Sequence, residues 1–531
     1  MAKKPHIVIF NPDQMRADAL HHLGNPASIT PNLDSIAAND AVSFRNAFCQ
    51  NPVCTPSRCS FLTGLYPHTY GQRTISHMLH DNQSSLLMEL KNAGYYVWMN
   101  GRNDFLPAQK PGIFDKHATE TYFGGNVQQL GPEDPNIKGE LGSDSFYSFY
   151  NGKLKVNEQG VNYSSDDDSV DAAIDRIKNR PADQPLCIFL GLLYPHPPYQ
   201  IEEPYFSAID RSKLPPRILP PESWEGKPSM VKGLFENFGM QGWTEERWDE
   251  LRAVYLGMCM KVDYLFGKLC QALKDEGIYD DTAIFFFSDH GDYTGNYGIV
   301  EKNQNTFEDC LTNVPFLIKP PKGIEVDAGV SDGMVELVDF YATAMELAGV
   351  EPDHTHFGKS LLQVIKDRSK EHREYVFCEG GRLLEERHCS EASDVGGLNP
   401  YFPYYPRISL QASEGPEHGK ATMLRSKKYK YVRRLFEKDE FYDLEKDPME
   451  LHNRIDDPEY SNIINEFRIN MLDWYQTTCD IVPFKQDSRF TIDRLVGILG
   501  DAASPEKIQK IKDLMEEGVP TQHIMGMLRK L

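Results

Sequence analysis

The sequence predicts an α/β fold, with a large mixed, mostly parallel sheet sandwiched by helices and a smaller C-terminal α+β subdomain after it. Five short runs rich in Ile, Val, Leu and Phe, at residues 6–10, 95–99, 186–192, 282–287 and 314–318, read as strands buried on both faces. Between them lie patterns of helical period at 167–178, 245–275 and 334–347. Strands alternating with helices build a parallel sheet covered on two sides, and 531 residues, 40% of them hydrophobic, can bury a core of that size.

In such a sheet ligands gather beyond the carboxyl ends of the strands, so the residue just after each strand is where chemistry is expected. Asp13 follows the first run, and Asp289 with His290 follows the run 282–287. Two carboxylates and one imidazole suit a divalent cation of the calcium, manganese or magnesium kind better than a site for zinc built on thiolates. A lone strand-end aspartate is commonly a turn or cap residue, and only the joint placement favours a metal site.

Cys54-Thr55-Pro56-Ser57-Arg58 precedes a helical stretch that Gly64 can end, and Pro56 suits a first turn. Cys54 would then sit at a helix N-terminus, where free amides favour an anion, and Arg58 could turn back toward it to bind a tetrahedral oxyanion. A cysteine phosphatase loop sets its Cys and Arg further apart than the three residues between these two. A capped turn around a buried thiol is the plainer alternative. The other nine cysteines are scattered and read as reduced core residues.

The long polar stretches 107–168 and 202–228 read as insertions that wall the site. Periodicity is lost from 376 to 406, and 421–437 reads as two short strands. The tail 491–531 has helical spacing with a cap at Ser504-Pro505-Glu506 and a last short helix carrying Ile524, Met525, Met527 and Leu528. The expected division is therefore a catalytic domain at 1–400, a C-terminal α+β subdomain at 401–485 and a helical arm at 486–531, the arm being a candidate contact for a homo-oligomer. A formal net charge of -22 argues against nucleic acid or an anionic membrane as partner. The short apolar run near the start is too brief for a signal peptide and nothing reaches spanning length, so the expected location is cytoplasmic.

Cys54-Thr55-Pro56-Ser57-Arg58 with Leu62-Thr63-Gly64 resembles the C-x-P-S-R motif and downstream T-G of the formylglycine-dependent (type I) sulfatases, of the alkaline phosphatase superfamily. Thr30-Pro31-Asn32-Leu33-Asp34, Ser288-Asp289-His290-Gly291-Asp292, Lys302 with Phe307-Glu308 and Val314-Pro315, and Phe441-Tyr442-Asp443-Leu444 with Asp447-Pro448 resemble further motifs of that family. The likeness spans roughly residues 6 to 455. It implies an alkaline phosphatase-like fold, hydrolysis of a small anionic sulfated substrate, and Cys54 oxidised to formylglycine by a formylglycine-generating or anaerobic sulfatase-maturating enzyme. It also implies one divalent metal ion, calcium ahead of manganese or magnesium, on Asp13, Asp289 and His290. Arg58 and Lys302 would balance charge on the sulfate and nucleophile, and His196, within Tyr194-Pro195-His196-Pro197, would face the leaving group. Two departures stand out. The paired aspartates usual after the first strand are here Pro12-Asp13, leaving Gln14 or water to fill the ligand place. The family's G-K-x-H is here Gly101-Arg102-Asn103-Asp104, which puts Arg102 and Asp104 in the substrate pocket. Phosphonate monoester or phosphodiester hydrolases of the same superfamily share C-x-P-S-R and an opening like Asp13-Gln14-Met15-Arg16-Ala17-Asp18, and form the alternative.

Overall fold

The computed structural model describes residues 4–125, 127–393, 398–499 and 504–528. The expectations for residues 1–3, 500–503 and 529–531 lie outside them. The chain forms two compact units, Met1–Glu351 with Phe357–Cys479, and Pro352–His356 with Asp480–Leu531.

The strands of the first unit are β1 (His6–Asn11), β2 (Val42–Phe48), β3 (Tyr96–Asn100), β4 (Glu120–Tyr122), β5 (Tyr150–Lys153), β6 (Leu186–Gly191) and β7 (Tyr199–Ile201). They continue as β8 (Thr282–Phe287), β9 (Phe316–Lys319), β10 (Gly329–Glu336), β11 (Val376–Gly380), β12 (Ala421–Arg425), β13 (Tyr429–Arg434) and β14 (Glu440–Asp443). Eight of them build the main sheet in the order β10-β2-β9-β8-β1-β6-β3-β4. Every neighbouring pair in it is parallel except the two that β9 makes, with β8 and with β2. The sheet is thus mixed but mostly parallel, with an alkaline phosphatase-like arrangement. A second sheet, β11-β12-β13-β14, is antiparallel, and β5 pairs with β7.

The alternation along each strand divides the core in two. Val8, Phe10, Ile188, Leu190, Ile284 and Phe286 enter one cluster with the helix Glu245–Asp275. Ile7, Ile9, Cys187, Phe189, Phe285 and Phe287 enter the other, with the helix Val338–Ala348. Both faces are therefore covered, which is why these strands read as unbroken apolar runs.

Several elements differ from the sequence reading. The stretch 334–347 is not one helix. Met334–Glu336 ends β10, and the helix starts at Val338. Residues 107–168 are more than an insertion, since they supply β4, an edge strand of the main sheet, before leaving it. The aperiodic stretch opens with β11, so the small sheet takes its first strand from residue 376. In the second unit the helices Ile492–Leu499, Pro505–Glu516 and Thr521–Leu528 gather a small core of Leu495, Ile511 and Ile524. Among the described residues no helix is long and apolar enough to cross a membrane.

Candidate active site

Because β1, β3, β6 and β8 run parallel, the loops after them open on one edge of the sheet. Asp13, Arg102, His196, Asp289 and His290 all stand in those loops. The helix Cys54–Thr63 begins on the same edge, after β2. Its N-cap, Val53, makes no side-chain cap to the first-turn amides, while Gly64, at φ 70°, ends it.

Asp13 and Asp289 each divide their two oxygens between different partners. Oδ2 of Asp289 accepts from Nε of Arg58 at 2.9 Å, and Oδ2 of Asp13 accepts from Nη2 of Arg58 at 3.0 Å and from Arg102. The Oδ1 atoms face the other way, 3.5 Å (Asp13) and 3.8 Å (Asp289) from Nε2 of His290. Oδ1 of Asp13 and Nε2 of His290 are buried and make no hydrogen bond. Nδ1 of His290 donates to the Gly291 carbonyl at 2.9 Å, which leaves the Nε2 lone pair directed at the carboxylates. The ligand atoms of Asp13, Asp289 and His290 lie within 4.8 Å of one another. Hard oxygens with one unprotonated imidazole nitrogen, two of these atoms orphaned in a buried place, fit a divalent cation.

The electrostatics agree. Burial by itself would push the Asp13 carboxyl up, but the surrounding charges, Arg102 foremost, hold it well below the usual carboxylate range. Burial lowers the His290 imidazole, favouring the neutral form that can act as a ligand. The Cys54 thiol is pushed up to about 12, first by burial and then by the Asp104 charge, so at neutral pH a thiolate is disfavoured there.

Arg58 spends two arms of its fork on the carboxylates and keeps only Nη1 without a partner. It serves the two carboxylates more than an incoming oxyanion, for which Nη1 alone remains. Asp104, a quarter exposed, has Oδ2 at 3.6 Å from both Nε of Arg58 and Nη2 of Arg102, which brings it to the same pocket. Gln14 stands beside these carboxylates, its backbone amide donating to Oδ1 of Asp289 at 3.1 Å. Its Nε2 donates to Asp292 at 2.6 Å and its Oε1 accepts from Nζ of Lys302, so the amide is engaged at both ends. Lys302 also approaches Oε1 of Glu301 at 3.1 Å. Burial would lower its pKa, but Glu301 and Asp13 outweigh that and raise it. His196 donates from Nδ1 to the Pro197 carbonyl at 2.6 Å, and burial, with the Lys302 charge, holds it down to about 4. In the free site it is therefore a neutral imidazole whose Nε2 accepts, and protonating a leaving group would require it first to take up a proton.

Three further residues belong here that sequence reasoning did not single out. Glu301 faces both Lys302 and His196. Arg407 bonds Glu301 from a helix far along the chain. Asp292, pushed up to about 6 by burial and then by the Glu301 charge, accepts from Tyr199, Thr294 and Gln14. Asp292 lies inside the motif around Asp289 and Glu301 adjoins Lys302, so those two carried a local signal. His68 is engaged elsewhere, between Glu379 at 2.6 Å and Thr478 at 3.0 Å.

Comparison with known proteins bears on this arrangement. A family model described as Sulfatase matches residues 5–350. The chain is 24% identical to the multifunctional alkaline phosphatase superfamily protein PehA of Trinickia caryophylli, over 90% of this chain and 96% of that one. It is 25% identical to an arylsulfatase of Clostridium perfringens, over 88% and 93% of the two chains. Among solved structures, the phosphonate monoester hydrolase of Agrobacterium radiobacter superposes with a TM-score of 0.69 at 22% identity, over 90% of this chain and 96% of the other.

Proposed function

The chain belongs to the sulfatase family of sulfuric ester hydrolases, and from that premise we propose that it cleaves the sulfate ester of a small sulfated carbohydrate or metabolite. The nucleophile is a hydroxyl of the hydrated formylglycine that a separate maturating enzyme makes from Cys54. One divalent cation, calcium before manganese or magnesium, is held by Asp13, Asp289 and His290. The observation that carries this reading is the division of the two aspartates, with Oδ2 atoms on arginine and Oδ1 atoms turned to the free nitrogen of His290. Cys54 begins its helix on the same edge of the sheet, and its thiol is too weak an acid to serve as it stands.

A divalent cation there supplies Lewis-acid polarisation and eases ionisation of a hydroxyl brought beside it. The protein's own groups do the rest. The first-turn amides of the Cys54 helix and Lys302 meet the ester head, Arg102 and Arg58 fix the carboxylates, and Gln14 aims Lys302. His196 faces the leaving-group oxygen and, once it has taken up a proton at Nε2, gives it to the departing alkoxide. Of the groups named, Arg58, Arg102 and Lys302 are opposed by Asp13, Asp289, Asp104 and Glu301, so a divalent cation leaves one net positive charge. That balance suits a monoanionic ester head better than the dianion of a phosphate monoester.

A phosphonate monoester is also a monoanion, and the pairing of one leading aspartate with Asp289-His290, together with the likeness to a phosphonate monoester hydrolase, favours that second reading. The experiment is to compare kcat/KM for 4-nitrophenyl sulfate and for a phenylphosphonate monoester. The protein used must have its Cys54 peptide lighter by about 18 Da, the change from thiol to aldehyde. Preference for sulfate is expected. Preference for the phosphonate by orders of magnitude would establish the second reading, and no hydrolysis of either by converted protein refutes both.

A further inference from the structure

Beyond the groups that face the ester head, we infer that Arg407 is a positioning residue of this active site, acting through Glu301 to hold and aim Lys302. The inference rests on Lys302 belonging to the site proposed above.

Glu301 is a non-glycine residue at φ 68°, the left-handed region that costs a side-chain-bearing residue free energy, and it stands directly before Lys302. Something must hold that turn, and Arg407 bonds it at two points. Its guanidinium donates to Oε2 of Glu301 and, at 3.0 Å, to the carbonyl oxygen of Lys302 itself. Its other arm donates to Oε2 of Glu391 at 2.6 Å. Glu391 is anchored in turn by Gln411 and Gln304, whose amides donate to Oε1 at 2.8 and 3.0 Å. The guanidinium also packs over the Tyr404 ring at 4.9 Å. Arg407, Glu301 and Glu391 are all buried, so none of these bonds is diluted by water.

The consequence falls on Glu301. With Oε2 taken by Arg407 and by the Lys302 amide at 2.8 Å, Oε1 is left to face Nζ of Lys302 at 3.1 Å and Nε2 of His196 at 4.0 Å. Burial would raise the Glu301 carboxyl, but Arg407 first and Lys302 next hold it down to about 2, so it stays an anion beside the ammonium. Lys302 is then held between that carboxylate and Oε1 of Gln14. No lysine could replace Arg407, because one ammonium cannot reach two carboxylates and a carbonyl from one planar fork.

The test uses the full-length, converted enzyme and the variants Arg407→Met, Arg407→Lys, Lys302→Ala and the double variant Arg407→Met/Lys302→Ala. Misplacement by about 1 Å of a group that acts in the transition state costs about 10²-fold. Arg407→Met is expected to lower kcat on 4-nitrophenyl sulfate about 10²-fold with KM changed less than about threefold, and Arg407→Lys is expected to recover little of it. The double variant should lose no more than Lys302→Ala alone, since residues that act as a unit are not additive. Losses that multiply, or a kcat at the wild-type level in Arg407→Met, would overturn the inference. If Arg407→Met does not fold, Arg407→Lys in the same cycle decides. Amide exchange over residues 296–308 gives a readout independent of turnover. It should quicken in the Arg407 variants and not in Lys302→Ala, and unchanged exchange would also overturn the inference. Wild-type protein inactive on both esters would refute the functional reading instead, with the exchange result still deciding for or against the clamp.

Discussion

Replacing Arg58 by methionine tests how charge is balanced at the centre. Arg58 is fully buried, with Nε 2.9 Å from Asp289 and Nη2 3.0 Å from Asp13, both also without exposure. Removing one partner of a buried ion pair costs about 3–5 kcal/mol, because the other charge is left uncompensated. Arg102 keeps its bond to Asp13, so Asp289 bears most of the loss and a value near the lower end, about 3 kcal/mol, is expected. At roughly 2 °C per kcal/mol, the figure for larger domains, Tm in EDTA should fall by about 6 °C. A divalent cation on the Oδ1 atoms would neutralise the same two carboxylates from their other side. Saturating calcium should therefore raise the Tm of Arg58→Met more than that of the wild type and restore at least half of the loss. Thermal unfolding of both proteins in EDTA and in calcium reads this directly. Equal calcium shifts in the two, or a wild-type Tm for the variant in EDTA, would mean that arginine and cation do not share these carboxylates.

Other perturbations probe the frame around the site. Asp263, on the helix Glu245–Asp275, accepts from the Leu33 amide at 2.8 Å and the Asn32 side chain at 2.8 Å, yet burial pushes its carboxyl up to about 6. A carboxyl raised in the folded state contributes its stability at low pH and loses it as pH climbs through the folded value. The wild type should thus lose stability relative to Asp263→Asn between about pH 4 and 6.5, and a constant difference in urea midpoints across that window would contradict this. A Cβ on Gly291 would lie 2.0 Å from the Cys310 carbonyl oxygen, so Gly291→Ala must shift the loop that aims His290. Calorimetry should find calcium bound at least about tenfold more weakly, and unchanged affinity would show that this close approach does not aim His290. In the second unit Ile511→Asp places a charge among Leu495 and Ile524 and should abolish exchange protection over the helices Ile492–Leu499, Pro505–Glu516 and Thr521–Leu528, whereas retained protection would point to a core elsewhere.

How much of the fold was legible follows from where each strand lies in the sheet. The central strands β1, β6 and β8 are buried on both faces, so their sequences are uninterrupted apolar runs that any reading finds. Strand β2, Val42–Phe48, was not legible although it is central to one half of the sheet. It carries Ser43, Arg45 and Asn46, and Arg45 bonds Asp332 of the neighbouring strand at 2.9 Å. Strand β10 beside it contains Ser331, Asp332 and Gly333 and breaks register between Ser331 and Met334, so two consecutive apolar residues, Met334 and Val335, occur only within its last three. Those three abut the helix Val338–Ala348 and merge with its pattern, which is why a single helix was expected there. At the sheet margins the polar side chains that serve solvent and neighbouring loops overwrite the period on which strand recognition depends.

The site divides along a similar physical line. Asp13, Arg102, Asp104, His196, Asp289 and His290 each follow a strand closely, and parallel strands deliver their ends to one edge, so position along the chain alone indicates convergence. Glu301 and Arg407 obey no such rule. They are 106 residues apart, and Arg407 stands on the short helix Tyr405–Gln411, beyond a stretch without periodicity. No spacing in the sequence announces that this arginine closes on a left-handed turn beside Lys302. Yet Lys302, which motif matching does find, can act only if its ammonium is aimed, and the groups that aim it are Gln14 from the first strand's loop and Glu301 under the grip of Arg407. The reacting groups are thus readable because the sheet gathers them in order, while their aim depends on a buried charge pair that only the folded chain brings together.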